Sequence, residues 1–285
     1  MRNNTSHTLI LLVVFTSFIF YSCQKSIDKQ AEFTEFATAA NTSKGNGVIP
    51  YKFERINVQN FSSQGWRKQQ VNNISTGQLF SDESDYVQIV CGPENTSDPR
   101  LINGCITMNL PTSADPTLRR IRLRKSGYSG TRLADLTELK YSTYVVNNAP
   151  VTLGLTLDVT GDDQRDFGIW FEPRQPFAGP NIPPFLLNTW QQWNTLDGIW
   201  HSEGAIISGV PEQLTIAELV TLFPNARIID TPPVGHSGEG VRFTVGGTPR
   251  SLFDNTIGYL DALIIGTKNE QHSTLYDFMC DQSGN

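Results

Sequence analysis

The chain has 285 residues, of which only 18% are charged, and its formal net charge is −6. This balance argues against binding to nucleic acid, which requires clustered lysine and arginine side chains. The low charge and the many short runs of Val, Ile, Thr and aromatic residues favour an all-β protein over a helical one.

The first residues have the pattern of an export signal. An apolar run from Leu9 to Tyr21 is shorter than most membrane-spanning helices and is typical of a signal-peptide core. It ends at Ser22 and Cys23, and a small residue directly before a single cysteine resembles the lipobox of bacterial lipoproteins. The usual box has an aliphatic residue three places before the cysteine and a small residue two places before it. Phe20 and Tyr21 depart from this pattern and resemble a relaxed form of the box.

The lipoprotein resemblance implies that Cys23 is acylated, becomes the mature N-terminus and anchors the protein in the bacterial outer membrane. An ordinary signal peptide with an incidental cysteine, or an uncleaved anchor, remains an alternative. Residues 24–46 are polar, small and without periodicity, which is typical of a flexible tether. We therefore expect a signal peptide over 1–22, a tether over 23–46, a single domain over 47–280 and a tail over 281–285.

Short strands separated by turn-forming residues are expected from the start of that domain. The strand over 118–125 is rich in arginine, and we expect its basic face to be solvated. The predicted strands of this part of the chain are Tyr51–Val58, Gly65–Val71, Asp85–Cys91, Leu118–Lys125 and Glu138–Val146.

Two cysteines, Cys91 and Cys105, flank a loop of Gly, Pro, Asn and Asp residues. In an exported chain this predicts a disulfide between them. Cys280 is then either unpaired or displaces one of these partners. No His or second Cys stands at ligand spacing, so neither a metal ion nor another cofactor is expected.

The centre of the chain predicts a β-hairpin. Leu153, Leu155 and Leu157 alternate with smaller or polar residues, and a second apolar run covers Phe167–Phe171. The turn between them holds a weak calcium candidate, whose carboxylates belong to Asp158, Asp162, Asp163 and Asp166. The spacing departs from an EF-hand loop, which favours a solvated turn in which Arg165 relieves the repulsion.

The indoles of Trp190, Trp193 and Trp200, flanked by Gln191 and Asn194, form the candidate ligand-binding site. Sugar C–H faces pack on indole rings, and the amides could bond hydroxyl groups. Core packing is the alternative, and in a strand the first two tryptophans would point to opposite faces.

One helix is expected near residues 215–223. Thr215 and Glu218 have capping-box spacing, and Pro224 ends the segment. The strands expected after it are Ala226–Ile229, Gly240–Val245, Gly258–Gly266 and Thr274–Phe278. This pattern predicts an all-β, two-sheet antiparallel β-sandwich with one short helix.

Several strings together resemble the jelly-roll modules of secreted bacterial proteins and the last strands of concanavalin-like and carbohydrate-binding modules. They are LTELKYSTY from Leu136, the Phe171-Glu172-Pro173 string, WQQW from Trp190, GYLDALIIGT from Gly258 and the Tyr276-Asp277-Phe278 string. The resemblance implies a jelly-roll-like sandwich. It leaves function open, because one fold hosts many functions.

Catalysis is the less favoured hypothesis. Glu172, Asp166 and Asp197 are glycosidase candidates by composition alone, and no nucleophile elbow is present. We expect a lipid-anchored, non-catalytic protein that binds carbohydrate or another extracellular ligand. An envelope structural or assembly protein and a divergent glycoside-active enzyme are the alternatives, and the sequence does not fix the oligomeric state.

Overall fold

The computed structural model describes residues 51–74, 77–81, 84–93, 101, 104–112, 117–147, 149–203, 210–230, 240–247 and 253–280. The expected signal peptide, Cys23, the tether and the tail at 281–285 lie outside the described residues. Within those ranges, no helix is long and apolar enough to cross a membrane.

Sheet A contains seven strands in the described part of the chain. Six of them pair in antiparallel fashion, and the first in the chain joins the last in parallel. The strands are β1 (Lys52–Ile56), β4 (Val87–Val90), β5 (Cys105–Leu110), β7 (Leu136–Val145), β10 (Gln191–Asn194), β15 (Thr256–Thr267) and β16 (Thr274–Phe278).

Sheet B contains nine strands among the described residues, and its pairings are antiparallel. Its strands are β2 (Trp66–Ile74), β3 (Gly77–Ser81), β6 (Leu118–Lys125), β8 (Thr152–Asp158), β9 (Phe167–Phe171), β11 (Trp200–Ser202), β12 (Gln213–Leu214), β13 (Arg227–Ile228) and β14 (Val241–Gly246).

Eight of these strands have the order of a jelly roll. In sheet A the order is β5-β15-β7-β10, and in sheet B it is β6-β14-β8-β9. In each sheet a late strand lies between two early ones, as the double Greek key requires. The all-β sandwich expected from the sequence is therefore confirmed.

The long strand β15 connects the parts of sheet A. It pairs with β7 along its length, with β5 at Thr256–Leu260 and with β16 at Leu263–Ile265. Since a strand has two hydrogen-bonding edges, β5 and β16 share the edge opposite β7. A register shift between Asp261 and Ile264, where Ala262 has a φ of 52°, separates these two pairings.

The core lies between the sheets and follows the alternation in the sequence. Strands β8 and β9 form the expected hairpin, in which Leu153 pairs with Phe171 and Leu157 with Phe167. The inward side chains of both strands are 0–1% exposed. This burial of successive large apolar side chains is the main term that stabilises the sandwich.

The expected helix is confirmed as α1 (Ile216–Leu222). The Thr215 hydroxyl accepts a hydrogen bond from the Glu218 amide at 3.2 Å, and the Glu218 carboxylate accepts one from the Thr215 amide at 2.7 Å. This reciprocal cap satisfies two amides that the first helical turn leaves without partners.

The expected solvation of the basic face of β6 is wrong. Arg122 and Arg124 are 7% and 8% exposed, and an Nη1–H of Arg122 donates to the Gln69 side chain at 3.4 Å. The prediction failed because alternation tells which residues share a face of a sheet but not whether that face meets solvent.

Candidate functional site

The three tryptophans expected to form a sugar-stacking platform do not form one. Trp193 and Trp200 are completely buried, and Trp190 is 9% exposed. The indole N–H of Trp193 donates to the Thr143 hydroxyl at 2.8 Å, and that of Trp200 donates to the Thr195 carbonyl at 2.9 Å. Two of the three indoles therefore belong to the core, as the alternative interpretation held.

The amides flanking these tryptophans also have structural roles. The Gln191 side chain accepts from the Leu186 amide at 2.7 Å and donates to the Pro184 carbonyl at 2.8 Å. The Asn194 side chain donates to the carboxylate of Asp197. The Gln191 amide thus holds the local backbone in place, and the Asn194 amide pairs with a neighbouring side chain. The expected role of these two residues in ligand binding stays a prediction.

Trp190 differs from the other two because it lies on the outer face of sheet A. It precedes β10, in which Trp193 points inward, and its ring centroid lies 5.8 Å from that of Tyr144 on β7. Tyr144 in turn contacts Tyr259 on β15 at 6.0 Å. We call Trp190, Tyr144 and Tyr259 the aromatic strip.

The outward direction of the strip follows from its neighbours in the chain. Thr143 and Val145, on either side of Tyr144, and Leu260, next to Tyr259, are 0–1% exposed and point into the core. Because successive side chains of a strand alternate between faces, the two tyrosines point away from it. Both are partly exposed.

The outward position of Tyr144 could have been found from the sequence. Leu139, Tyr141, Thr143 and Val145 form the inward phase of β7, so an aromatic residue at position 144 falls in the outward phase. A single outward aromatic residue is common, and it is the contact with a second one that indicates a binding surface. What the sequence does not give is the register that puts Tyr259 opposite Tyr144.

Polar, uncharged side chains extend the strip across the sheet. Tyr259 pairs with Thr107 of β5, and Thr107 pairs with the exposed Gln88 of β4. Gln192 of β10 is exposed on the same face, opposite Ser142. The aromatic strip and these amide and hydroxyl groups form the candidate site.

The strip itself contains no carboxylate, amine or imidazole. Partial burial, followed by the nearby Cys105 thiol, raises the pKa of Tyr259 above its ordinary value. Its hydroxyl is therefore neutral at physiological pH and can both donate and accept a hydrogen bond. The arrangement can stack an apolar ligand face and bond hydroxyl groups, but it offers no group for acid–base chemistry.

The carboxylates of the weak calcium candidate have protein donors. The Asp158 carboxylate is buried and accepts from the amides of Gly161 and Asp163 at 2.6 and 2.9 Å and from Arg227. One oxygen of Asp166 accepts from two further amides at 2.6 and 2.9 Å.

These bonds are those of a turn in which side chains fold back on the backbone. Among the described residues, no group of three or more His, Cys, Asp or Glu side chains is placed to hold a metal ion. The expected role of Arg165 was wrong, because its guanidinium pairs with Glu203 while Arg227 contacts Asp158 and Asp163. Arg227 is distant in sequence and reaches the turn through the pairing of β13 with β8.

The expected Cys91–Cys105 disulfide is wrong, since Cys91 is bonded to Cys280. Cys105 pairs with Val90 across β4 and β5, so the next residue, Cys91, points to the opposite face from Cys105. The chain after β16 passes Gly104 and brings Cys280 to Cys91, with 5.1 Å between Cα atoms. Burial, and secondarily Asp261, raises the pKa of the free Cys105 thiol to about 12.

The glycosidase candidates have structural partners close to them in the chain. Glu172 pairs with Arg174 at 2.6 Å, Asp166 caps the turn after β8, and Asp197 accepts from Asn194. Each carboxylate has a local partner.

No protein-family model matches the chain, and no curated protein matches it. Among solved structures, the chain is similar to the binding domain of Paraclostridial Mosquitocidal Protein 1, with 16% sequence identity and a TM-score of 0.27. The match covers 70% of this chain and 48% of that chain, so this chain spans about half the length of that structure. A likeness at this level carries no conclusion about function.

Proposed function

We propose that this chain is a lipid-anchored extracytoplasmic protein whose β-sandwich binds carbohydrate on the outer face of sheet A. The observation that supports the proposal is the aromatic strip, in which the partly exposed rings of Tyr259 and Tyr144 are in contact on the outer face of sheet A. Trp190, which is 9% exposed and donates to the Pro93 carbonyl at 3.2 Å, packs against Tyr144 and supports it from one side. A pyranose ring presents C–H groups on its faces and hydroxyl groups around its edge. Aromatic rings beside amide and hydroxyl side chains match both features.

The strip is suited to binding and not to catalysis. The carboxylates considered from the sequence have structural partners elsewhere, and the polar groups beside the strip are uncharged. Stacking on rings held by a sheet needs little ordering of the protein, which limits the entropic cost of binding.

The test is a glycan array probed with the full-length chain in detergent, alongside Tyr144→Ala and Tyr259→Ala. We expect binding to at least one glycan and a loss of about tenfold in affinity in each variant, which corresponds to about 1.4 kcal/mol. Phe177→Ala is the matched control, because Phe177 is an exposed aromatic residue (38%) that contacts His201 of sheet B. Binding that is lost equally in the control, or retained in both tyrosine variants, would contradict the site.

The membrane anchor rests on the lipobox resemblance at Cys23. We expect Cys23→Ser to abolish labelling by a palmitate analogue and to leave the protein unprocessed or out of the detergent phase. The wild-type chain, expressed in the same cells, is the reference. Unchanged labelling of the variant would show that Cys23 is not the acylated residue.

A further inference from the structure

We infer that the aromatic strip takes a single, soluble and uncharged glycan chain, and neither a crystalline polysaccharide surface nor an acidic polysaccharide. This inference rests on the proposed function and specifies its ligand class. Three features of the described residues carry it: the tilt of the rings, the length of the polar and aromatic row, and the distribution of charge.

The rings of the strip do not share a plane. The planes of Tyr144 and Tyr259 are inclined by 70°, and those of Tyr144 and Trp190 by 54°. Trp190 is 9% exposed, so the two tyrosines are the rings that a ligand can reach. A flat crystal face stacks on rings that are parallel to it, so at 70° it can lie against only one of the two. A single chain can rotate about its glycosidic bonds and present a different face or edge to each ring.

The sheet adds to this mismatch with a flat surface. Neighbouring strands of a sheet are rotated relative to one another by roughly 20–25°. The side chains of the strip come from β7, from β15 and from the segment before β10, so they follow that twist. A ligand that contacts the whole strip must therefore be twisted as well.

The length of the row corresponds to a short oligosaccharide. Gln88, Thr107, Tyr259 and Tyr144 lie on four successive strands. With a strand spacing of about 4.8 Å, the row extends about 14 Å across the sheet. That distance accommodates several consecutive sugar residues in one extended chain.

The charges near the strip do not favour an acidic ligand. Thr107, Asn109, Gln88 and Gln192 are its polar neighbours on the same face, and none of them carries a positive charge. The closest acidic residue along β15, Asp261, is buried and accepts a hydrogen bond from the Phe278 amide at 3.2 Å. Lys140, four residues before Tyr144 on the same face of β7, is paired with Glu138 at 2.7 Å. A carboxylate or sulfate on the ligand would therefore lose hydration at the strip without gaining an unpaired cation.

The arginine-rich face belongs to the other sheet. Arg67, Arg124 and Arg242 occupy one cross-strand row of β2, β6 and β14, in sheet B. Arg124 and Arg242 are 8% and 7% exposed, so this row is largely shielded from solvent. The arginines therefore add no cation to the face that carries the aromatic strip.

The experiment compares three classes of probe on the full-length chain in detergent. The probes are soluble oligosaccharides of cellulose, xylan and mannan measured by calorimetry, microcrystalline cellulose and chitin measured by sedimentation, and polygalacturonate measured by calorimetry. Each is repeated with Tyr259→Ala and with Phe177→Ala, the control at an exposed ring that contacts His201 of sheet B. Each is also repeated at low and high salt.

We expect at least one soluble neutral oligosaccharide to bind, with affinity reduced about tenfold in Tyr259→Ala, retained in Phe177→Ala and changed less than about twofold by salt. The crystalline surfaces and polygalacturonate should not bind through the strip. Thr107→Lys should leave the fold intact and add salt-sensitive affinity for polygalacturonate, since it places a cation beside Tyr259.

The outcomes separate the two proposals. One outcome would overturn the ligand class and leave carbohydrate binding in place. It is that a crystalline surface or polygalacturonate binds through the tyrosines more strongly than every soluble neutral probe does. Absence of binding in all three classes, or binding that Tyr259→Ala does not weaken, would overturn both.

Discussion

Asp158 and Arg227 face each other on the paired strands β8 and β13, and the Nε and Nη2 groups of Arg227 donate to one oxygen of Asp158 at 3.0 and 2.8 Å. The Asp158 side chain is completely buried, whereas Arg227 is partly exposed. The guanidinium supplies the positive charge in a turn that contains four aspartates. A bound cation is not needed to neutralise the buried carboxylate.

Arg227→Met should therefore lower the melting temperature more than Arg165→Met does. The first substitution leaves a buried carboxylate without its counter-charge, whereas the second leaves Glu203, whose side chain is 31% exposed and can be solvated. Thermal unfolding of the two variants at neutral pH measures the difference. Equal losses would mean that the Asp158 carboxylate does not depend on Arg227.

The same carboxylate predicts a loss of stability in acid. Burial by itself would raise the pKa of Asp158, but the amide of Gly161, the guanidinium of Arg227 and the amide of Asp163 outweigh it and lower the pKa below its ordinary value. A lowered pKa in the folded state contributes stability above about pH 3.9, and this contribution is lost as pH falls through the folded pKa. The free energy of unfolding of Asp158→Asn should therefore fall less than that of the wild type as the pH is lowered below about 3.9. Asp197→Asn, at an exposed carboxylate, should follow the wild type.

The Cys91–Cys280 disulfide should contribute strongly to stability. Its cysteines are 189 residues apart, and in the chain-entropy model closing a loop of this length contributes roughly 5 kcal/mol. Cys280→Ser should lose a large part of that free energy of unfolding, whereas Cys105→Ser should lose much less. Peptide mapping without reductant should recover Cys91 linked to Cys280, and a Cys91–Cys105 peptide would show that the pairing is wrong.

A substitution at Trp193 should lower stability without changing glycan affinity, unlike substitutions in the aromatic strip. Trp193→Phe removes a buried N–H from the Thr143 hydroxyl and leaves a cavity, so we expect a loss of about 1–3 kcal/mol of unfolding free energy. Glycan affinity should not change, because this side chain faces the core. A fall in affinity comparable to that of Tyr144→Ala would place Trp193 in the site after all.

Local features of the fold could be predicted from the sequence because they depend on neighbouring residues. The alternation of Leu153, Leu155 and Leu157 gave β8, and the Thr215–Glu218 pair gave the helix cap. The hairpin of β8 with β9 was also predicted, since a short turn brings sequential strands together. All three depend on contacts within about twenty residues.

The features that were mispredicted depend on pairings between distant segments. The sequence near Cys91 does not show that β16 ends beside β4. The prediction therefore chose Cys105, the cysteine closest to Cys91 in the sequence. The residues that flank Trp190 and Trp193 in the sequence are similar. The register of β10 decides that Trp193 points into the core and Trp190 lies on the outer face. Tyr144 and Tyr259 meet because β15 returns between β5 and β7.

The position of β15 in the chain has a consequence for how the protein matures. Sheet A cannot close before Thr256–Thr267 has been synthesised, because this strand joins β5 and β7 to β16 and, through it, to β1. The edges of the earlier strands remain unpaired while the more than one hundred residues between β7 and β15 are synthesised. The order of the strands therefore delays folding until β15 has been translated. We expect nascent chains that stop before β15 to remain sensitive to protease.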